Sequence, residues 1–231
     1  MDLVDIIRGK LGKYSFIKRV LTPINVKICE YRRKRRSQNF QKYRDVLFLE
    51  IVEIFQTENI NYWVEFGTLL GIYRDHGFIS GDDDFDFGAY VEDAERIREI
   101  FINRNFTLLK EYEAVDNPEI KEMTFICDSN GITFDVFYFT RSEKYNSCYI
   151  FAIKDVDIIS KKKFFKVKQY DFPKFELDTI DFMDEKISVP SNIIEHLEYS
   201  YGKNFMIPDP HFNTIHFDFM TGIVAVDKCE D

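Results

Sequence analysis

Apolar residues recur every three or four positions near the start of the chain: Leu3, Ile7, Leu11, Tyr14, Ile17 and Leu21, with Lys10, Lys13, Lys18 and Arg19 between them. That period predicts an amphipathic helix with a basic face. Thr22-Pro23 predicts its break, because proline lacks the N–H that a helix interior requires. A solid basic run, Arg32, Arg33, Lys34, Arg35 and Arg36, follows. A second helix is predicted over 41–58, with Val46, Leu47, Ile51, Ile54 and Phe55 on its apolar side and Asn59 as its stop. Residues 60–66 read as a strand that ends in Gly67-Thr68, and a short helix through Leu69, Leu70 and Tyr73 comes next. A loop over 75–81 leads into 82–90, whose second half alternates as a strand does. A helix is expected over 92–103. Strands over 121–127 and 132–139 join at Ser129-Asn130-Gly131, a hairpin-type turn. Residues 145–182 are aromatic and β-rich but too weakly patterned to divide. Pro190 and a Ser191 N-cap introduce a helix over 191–199, and the proline-containing tail from Phe205 reads as extended.

A length of 231 residues suits one domain, or one domain with a helical appendage. A hydrophobic fraction of 45%, with 16% aromatics, is enough for a packed core and excludes a disordered chain. No stretch of eighteen apolar residues offers a membrane span, and the first residues lack the apolar core and cleavage site of a secretory signal. The four cysteines, Cys29, Cys127, Cys148 and Cys229, are scattered without a CxxC pair. A zinc ribbon and a disulfide framework are therefore not expected, and a reducing cytoplasm is.

Charge changes the picture more than composition does. Residues 1–44 hold thirteen Lys or Arg against three Asp or Glu, a surplus of ten; the remainder holds eighteen against thirty-seven, a deficit of nineteen, and together they give −9. An acidic body repels polyanions, so nucleic acid is not an expected partner. The basic segment suits either peripheral contact with the inner face of the cytoplasmic membrane or packing against the protein itself or a second copy.

Candidate chemistry is concentrated at Asp82-Asp83-Asp84-Phe85-Asp86. Four aspartates in five residues repel one another unless cations intervene. In a strand, Asp84 and Asp86 share a face about 7 Å apart along the chain, while Phe85 and Phe87 point to the core. Two such carboxylates suit a hard divalent cation. Thr133-Phe134-Asp135-Val136-Phe137 places a third carboxylate in an otherwise apolar strand, where a lone charge is costly unless it meets a partner. The competing interpretation of Asp82-Asp83-Asp84 is a solvated turn. Gly67-Thr68, sixteen residues before Asp84, lies at a strand-to-helix junction where backbone N–H groups and the Thr hydroxyl can meet a phosphate. Arg74 offers a fork suited to a diphosphate, or else an ion pair with a nearby loop aspartate. His76 carries no assigned role.

The run Phe66-Gly67-Thr68-Leu69-Leu70-Gly71-Ile72-Tyr73-Arg74, then Gly77-Phe78-Ile79, then Asp82-Asp83-Asp84-Phe85-Asp86-Phe87-Gly88 resembles the signature of the LicD and fukutin-related family. Val189-Pro190, His196-Leu197-Glu198, Tyr201-Gly202-Lys203 and Met206-Ile207-Pro208 resemble its C-terminal segment, and Phe134-Asp135-Val136-Phe137 its second acidic strand. The chain departs at Ser80-Gly81, where the family usually shows Pro-Trp, and at Phe87, where it has an aliphatic residue.

The resemblance implies an α+β nucleotidyltransferase-type fold over residues 45–231, with a mixed β-sheet flanked by helices and an N-terminal helical extension over 1–44. It implies a phosphotransferase that moves a phospho-alcohol, such as phosphocholine or ribitol phosphate, from a CDP-linked donor to a sugar hydroxyl. The implied acceptor is a cell-surface glycan, free or lipid-linked: lipopolysaccharide, capsule or teichoic acid. Mg²⁺ or Mn²⁺ would be held by Asp82, Asp84, Asp86 and Asp135, with Asp83 a candidate base and Gly67, Thr68, Arg74 and Lys203 on the phosphates; Tyr201 is a further candidate neighbour. Two alternatives are transfer of a nucleoside monophosphate itself and a non-catalytic accessory module of the same fold.

Overall fold

The computed structural model describes residues 15–156, 163–209 and 225–230. Its first element is a single long helix, α1 (Ser15–Thr57), continuous through the expected break at Thr22-Pro23. One proline removes one backbone bond, and the Lys- and Arg-rich sequence beyond it favours helix strongly enough to carry the turn through. The N-terminal part of the predicted basic helix lies outside the described residues. Asn59 adopts a left-handed conformation just past the end of α1, as its role of stop requires.

After α1 come β1 (Tyr62–Val64), the one-and-a-half-turn helix α2 (Phe66–Leu70), a π-helical turn over Gly71–Asp75 and β2 (Asp84–Tyr90). Helix α3 (Ala94–Asn103) precedes the strands β3 (Phe106–Ala114), β4 (Lys121–Cys127) and β5 (Thr133–Arg141). The unpatterned stretch resolves into a long hairpin, β6 (Tyr145–Val156) with β7 (Lys163–Pro173), and a short one, β8 (Leu177–Phe182) with β9 (Glu185–Pro190). Helix α4 (Ile193–Tyr201) and β10 (Ala225–Asp227) complete the described chain. Ser191 does not cap α4: Asn192 occupies the cap, and the Ser191 hydroxyl instead accepts from the backbone N–H of Glu176 across the β8–β9 hairpin.

The main sheet runs β1-β2-β5-β4-β3-β10, with β6 and β7 continuing from the far end of β5. Strands β2 and β5 are parallel and the other pairs antiparallel, so the sheet is mixed. The parallel pair sets Asp86 opposite Asp135 and Asp84 opposite Thr133.

Alternation gives each strand two different faces. Phe85 and Phe87 of β2, Phe134 and Val136 of β5, and Met123 and Phe125 of β4 are buried on the face covered by α1 and α3. Helix α1 contributes Phe40, Leu47, Phe48, Ile51, Val52, Ile54 and Phe55 to that core. Val46 is 74% exposed, contrary to its expected place on the apolar side. The buried stripe runs through Leu47, Phe48, Ile51 and Phe55, and Val46 lies about 100° off Leu47. Phe48 stacks on Phe87 at 5.9 Å, and Phe101 of α3 lies 4.8 Å from Phe134. Each buried phenylalanine contributes about 1.5–3 kcal/mol, so this face anchors the two acidic strands rigidly.

On the other face a second aromatic cluster, with Trp63, Tyr90, Phe137, Phe139, Tyr170, Phe172 and Phe175, is closed by β7 and α4. The acidic residues occupy the part of this face nearest the start of β2.

Candidate active site

Asp84 and Asp86 project from β2 on the face away from Phe85 and Phe87, as alternation predicts. Asp135 joins them from the neighbouring strand in direct register with Asp86. Asp82 completes the group from the turn before β2. A Cβ placed on Gly67 would meet Asp86 Oδ2 at 3.1 Å and Asp82 Oδ2 at 3.4 Å, so the α2 turn lies directly against both carboxylates.

Three hydrogen bonds join this turn to Asp86. Gly67 N–H donates to Asp86 Oδ2 at 2.9 Å, the N–H of Asp86 donates to Thr68 Oγ1 at 2.8 Å, and the N–H of Glu65 donates to the Asp86 carbonyl at 3.0 Å. Asp135 is fixed differently: Thr124 Oγ1 donates to its Oδ1 at 2.5 Å from β4. Each of these two carboxylates thus keeps one oxygen outside those bonds.

The electrostatics are those of crowded acids. Burial, reinforced by Asp135, Asp83 and Asp82, pushes the Asp84 carboxyl up to about 7. Burial and then Asp83 push Asp82 up to about 6. Asp86 rises well above the usual carboxylate range through burial and the charges of Asp84, Asp135 and Asp82. Asp135 is raised by burial despite the Thr124 hydrogen bond and the charge of Lys110. Glu122, two residues before Thr124 on β4 and facing the same way, reaches about 8 through burial and the charge of Asp135.

Among the described residues, no three His, Cys, Asp or Glu side chains form a ready-made metal cage. The donor set nevertheless fits a hard divalent cation: it is all oxygen, buried, and carries more negative charge than its surroundings offset.

The remaining sequence candidates divide. Asp83 points away from the group to an ion pair with Arg36 of α1 at 3.0 Å. Arg74 forks onto its neighbour Asp75 at 2.7 and 2.8 Å, the ion-pair alternative, while its charge still lowers the pKa of Asp82. Tyr201 ends α4, and burial, reinforced by the charges of Asp86, Glu65 and Asp82, raises its phenol well above its ordinary value. Lys203 is exposed in the turn beyond α4. His76 caps the π-helical turn in a left-handed conformation.

Two residues of the site, Thr124 and Glu65, are not singled out by the sequence, and a third, His196, is read there only as part of the C-terminal segment. Thr124 carried a usable signal, since Glu122 and Thr124 alternate with the apolar Met123 and Phe125 of β4. Glu65 carries none, and the segment that holds His196 gives no sign that the two side chains meet, at 2.7 Å.

The chain is 28% identical over 195 residues to the human ribitol-5-phosphate transferase FKTN, covering 78% of this chain and 39% of that protein. The mouse protein of the same name is 28% identical over 170 residues, 73% of this chain and 34% of that one. A protein of Rickettsia prowazekii, RP689, is 29% identical over 180 residues, 76% and 60% respectively. The chain thus spans little more than a third of the length of the FKTN proteins. Among solved structures, the lincosamide adenylyltransferase LnuA superposes with a TM-score of 0.41 at 12% identity, over 69% of this chain and 93% of that one. Residues 59–192, more than half of the sequence and the whole span from β1 to the start of α4, match the nucleotidyltransferase domain described as LicD/FKTN/FKRP, and the chain belongs to that family.

Proposed function

We propose that this protein is a metal-dependent phosphotransferase that moves a phospho-alcohol from a CDP-linked donor to a sugar hydroxyl of a cell-surface glycan. The observation that carries this reading is the placement of Asp84, Asp86 and Asp135 on one sheet face against the Gly67-Thr68 turn, in a family that includes ribitol-5-phosphate transferases. Asp84, Asp86 and Asp135, with Asp82 beside them, would hold Mg²⁺ or Mn²⁺. A bound divalent cation would offset the charge of the donor diphosphate.

The chain's own residues supply the rest. The α2 turn holds Asp86 through Gly67 and Thr68, and the absence of a side chain at Gly67 keeps the turn close against the Asp86 and Asp82 carboxylates. Thr124 fixes the Asp135 carboxylate. In the reaction the acceptor hydroxyl oxygen attacks the phosphorus bearing the alcohol, a new P–O bond forms, and the bond to CMP breaks. The hydroxyl proton passes to a carboxylate of the cluster. With Asp83 held by Arg36, we assign that proton to Asp135 rather than Asp83. Arg74 stands close enough to Asp82 to contribute charge at the donor side, and we give Lys203 no role.

We place the acceptor on a membrane-associated glycan because residues 1–44 carry a basic surplus of ten. Among the described residues no helix is long and apolar enough to cross a membrane.

The test is product mass. Protein, Mn²⁺ and a glycan acceptor are incubated with CDP-ribitol, CDP-glycerol, CDP-choline or CDP-ethanolamine. Release of CMP with the acceptor heavier by one phospho-alcohol supports the reading. An acceptor heavier by CMP, or no turnover with any of these donors, rejects it.

A further inference from the structure

Glu65 is fully buried, at 0% exposure, yet it is a carboxylate in the middle of an aromatic cluster. Its Oε2 accepts from Trp63 Nε1 at 2.7 Å. Its Oε1 accepts from the N–H of Phe66 at 3.1 Å and faces His196 Nε2 at 2.7 Å. His196 is 1% exposed, stacks flat on Phe172 at 4.0 Å and edge-on against Phe175 at 5.3 Å. Its Nδ1 has no hydrogen-bond partner among the described residues, which puts the ring proton on Nε2, facing Glu65.

Two observations make this more than a satisfied buried pair. Phe66, immediately after Glu65, is held at φ 38°, a left-handed conformation that a bulky residue adopts only when its surroundings impose it. The segment that Glu65 begins is also the one that grips Asp86, through Glu65 N–H, Gly67 N–H and Thr68 Oγ1. Whatever fixes the Glu65 side chain therefore fixes the Asp86 carboxylate. An apolar trio of similar volume would fill the same space without the desolvation cost of a buried carboxylate.

We propose that Glu65, clamped between Trp63 and His196, is a positioning residue that holds the strained Phe66–Thr68 turn and, through it, sets the orientation of Asp86. Helix α4 thereby closes the site from the C-terminal side, with a residue that lies beyond the family-matched span 59–192. The inference rests on the proposed role of Asp86, and its test separates the two.

The experiment compares the full chain with His196→Leu, His196→Gln, Glu65→Gln and Phe175→Leu. Hydrogen exchange of a peptide covering 64–69, in EDTA, reads the turn without any metal. His196→Leu and Glu65→Gln should exchange there about tenfold faster, the consequence of losing one charge-assisted hydrogen bond. His196→Gln, whose amide still donates toward Glu65, should stay near wild type. Phe175→Leu, which disturbs the same cluster without touching the bond, should lower Tm and leave this peptide unchanged relative to others.

Mn²⁺ affinity, read by paramagnetic resonance, should fall about tenfold in the first two variants only. Wild-type exchange at 64–69 in both His196→Leu and Glu65→Gln, or equal acceleration in Phe175→Leu, overturns the inference. If His196→Leu does not fold, Glu65→Gln carries the same test. Accelerated exchange in a protein whose wild type binds no Mn²⁺ keeps the clamp and removes the metal-site reading instead.

Discussion

Replacing Asp84 by Asn should make the metal-free protein more stable at pH 8, although it removes a residue of the proposed site. The Asp84 carboxyl is pushed up to about 7 from an ordinary 3.8, first by burial and then by Asp135, Asp83 and Asp82. A carboxyl whose folded value lies above its unfolded value contributes stability that is complete below about 3.8 and is lost as the pH rises through about 7. Three pH units at about 1.4 kcal/mol each correspond to about 4 kcal/mol of strain in the ionised state. Asp86 and Asp135 titrate with Asp84 and share that sum, and Asn still has to be buried, so about 1–2 kcal/mol should be recovered. For a chain of this size that is a rise in Tm of about 2–8 °C. The assay is thermal unfolding in EDTA from pH 5 to pH 8.5. Wild-type Tm should fall across that range and Asp84→Asn should fall less. Saturating Mn²⁺ should raise Tm of the wild type at pH 8 and leave the variant where it was. A lower Tm for Asp84→Asn than for wild type in EDTA at pH 8 would refute the reasoning, because it would show that the carboxylates are already compensated within the protein.

Gly88→Ala should be severely destabilising. Its Cβ would lie 2.3 Å from the Trp63 indole, so the ring must shift and give up its hydrogen bond to Glu65; we expect a loss of about 3–5 kcal/mol by denaturant titration. Gly67→Ala should separate stability from function. Its Cβ presses on Asp86 and Asp82 at 3.1 and 3.4 Å, so Mn²⁺-dependent donor binding should fall, while Tm stays within about 2 °C because alanine favours the helix. Thr124→Val keeps the volume and removes the donor to Asp135; Mn²⁺ affinity measured by calorimetry should weaken about tenfold with the fold retained.

The acidic strand was legible because its chemistry and its periodicity coincide. Phe85 and Phe87 had to be buried, which left Asp84 and Asp86 on the opposite face, and a lone Asp135 in an apolar strand asked for company. The hairpin at Ser129-Asn130-Gly131 announced itself through its turn, where Gly131 takes φ 75°. The C-terminal end of α1 at Asn59 is legible, but its continuity through Thr22-Pro23 is not, because proline ordinarily breaks a helix interior. Val46 was misplaced by a single position in an apolar run that includes Leu47 and Phe48, where composition cannot say which side faces in. Strand β3 is not legible: Leu109, at a register shift in the middle of the strand, and Val115, just beyond its end, are exposed while Glu111 is buried, so its hydrophobic alternation is blurred. Strand β6 sends Cys148 and Ile150 into one apolar cluster and Tyr149 and Phe151 into another, so apolar residues of both parities remove the period-two signal. The Glu65–His196 contact joins residues 131 apart in sequence, and no local pattern encodes such a meeting.

The most direct test of the central claim is a calorimetric titration of CDP, the moiety common to the proposed donors, into the full chain with Mn²⁺ and with EDTA, for the wild type and for Asp86→Asn. The account predicts saturable binding to the wild type with Mn²⁺ and at least a tenfold weaker interaction in EDTA or in Asp86→Asn. Binding of equal strength in EDTA and in Asp86→Asn, or no binding to the wild type with Mn²⁺, would contradict it.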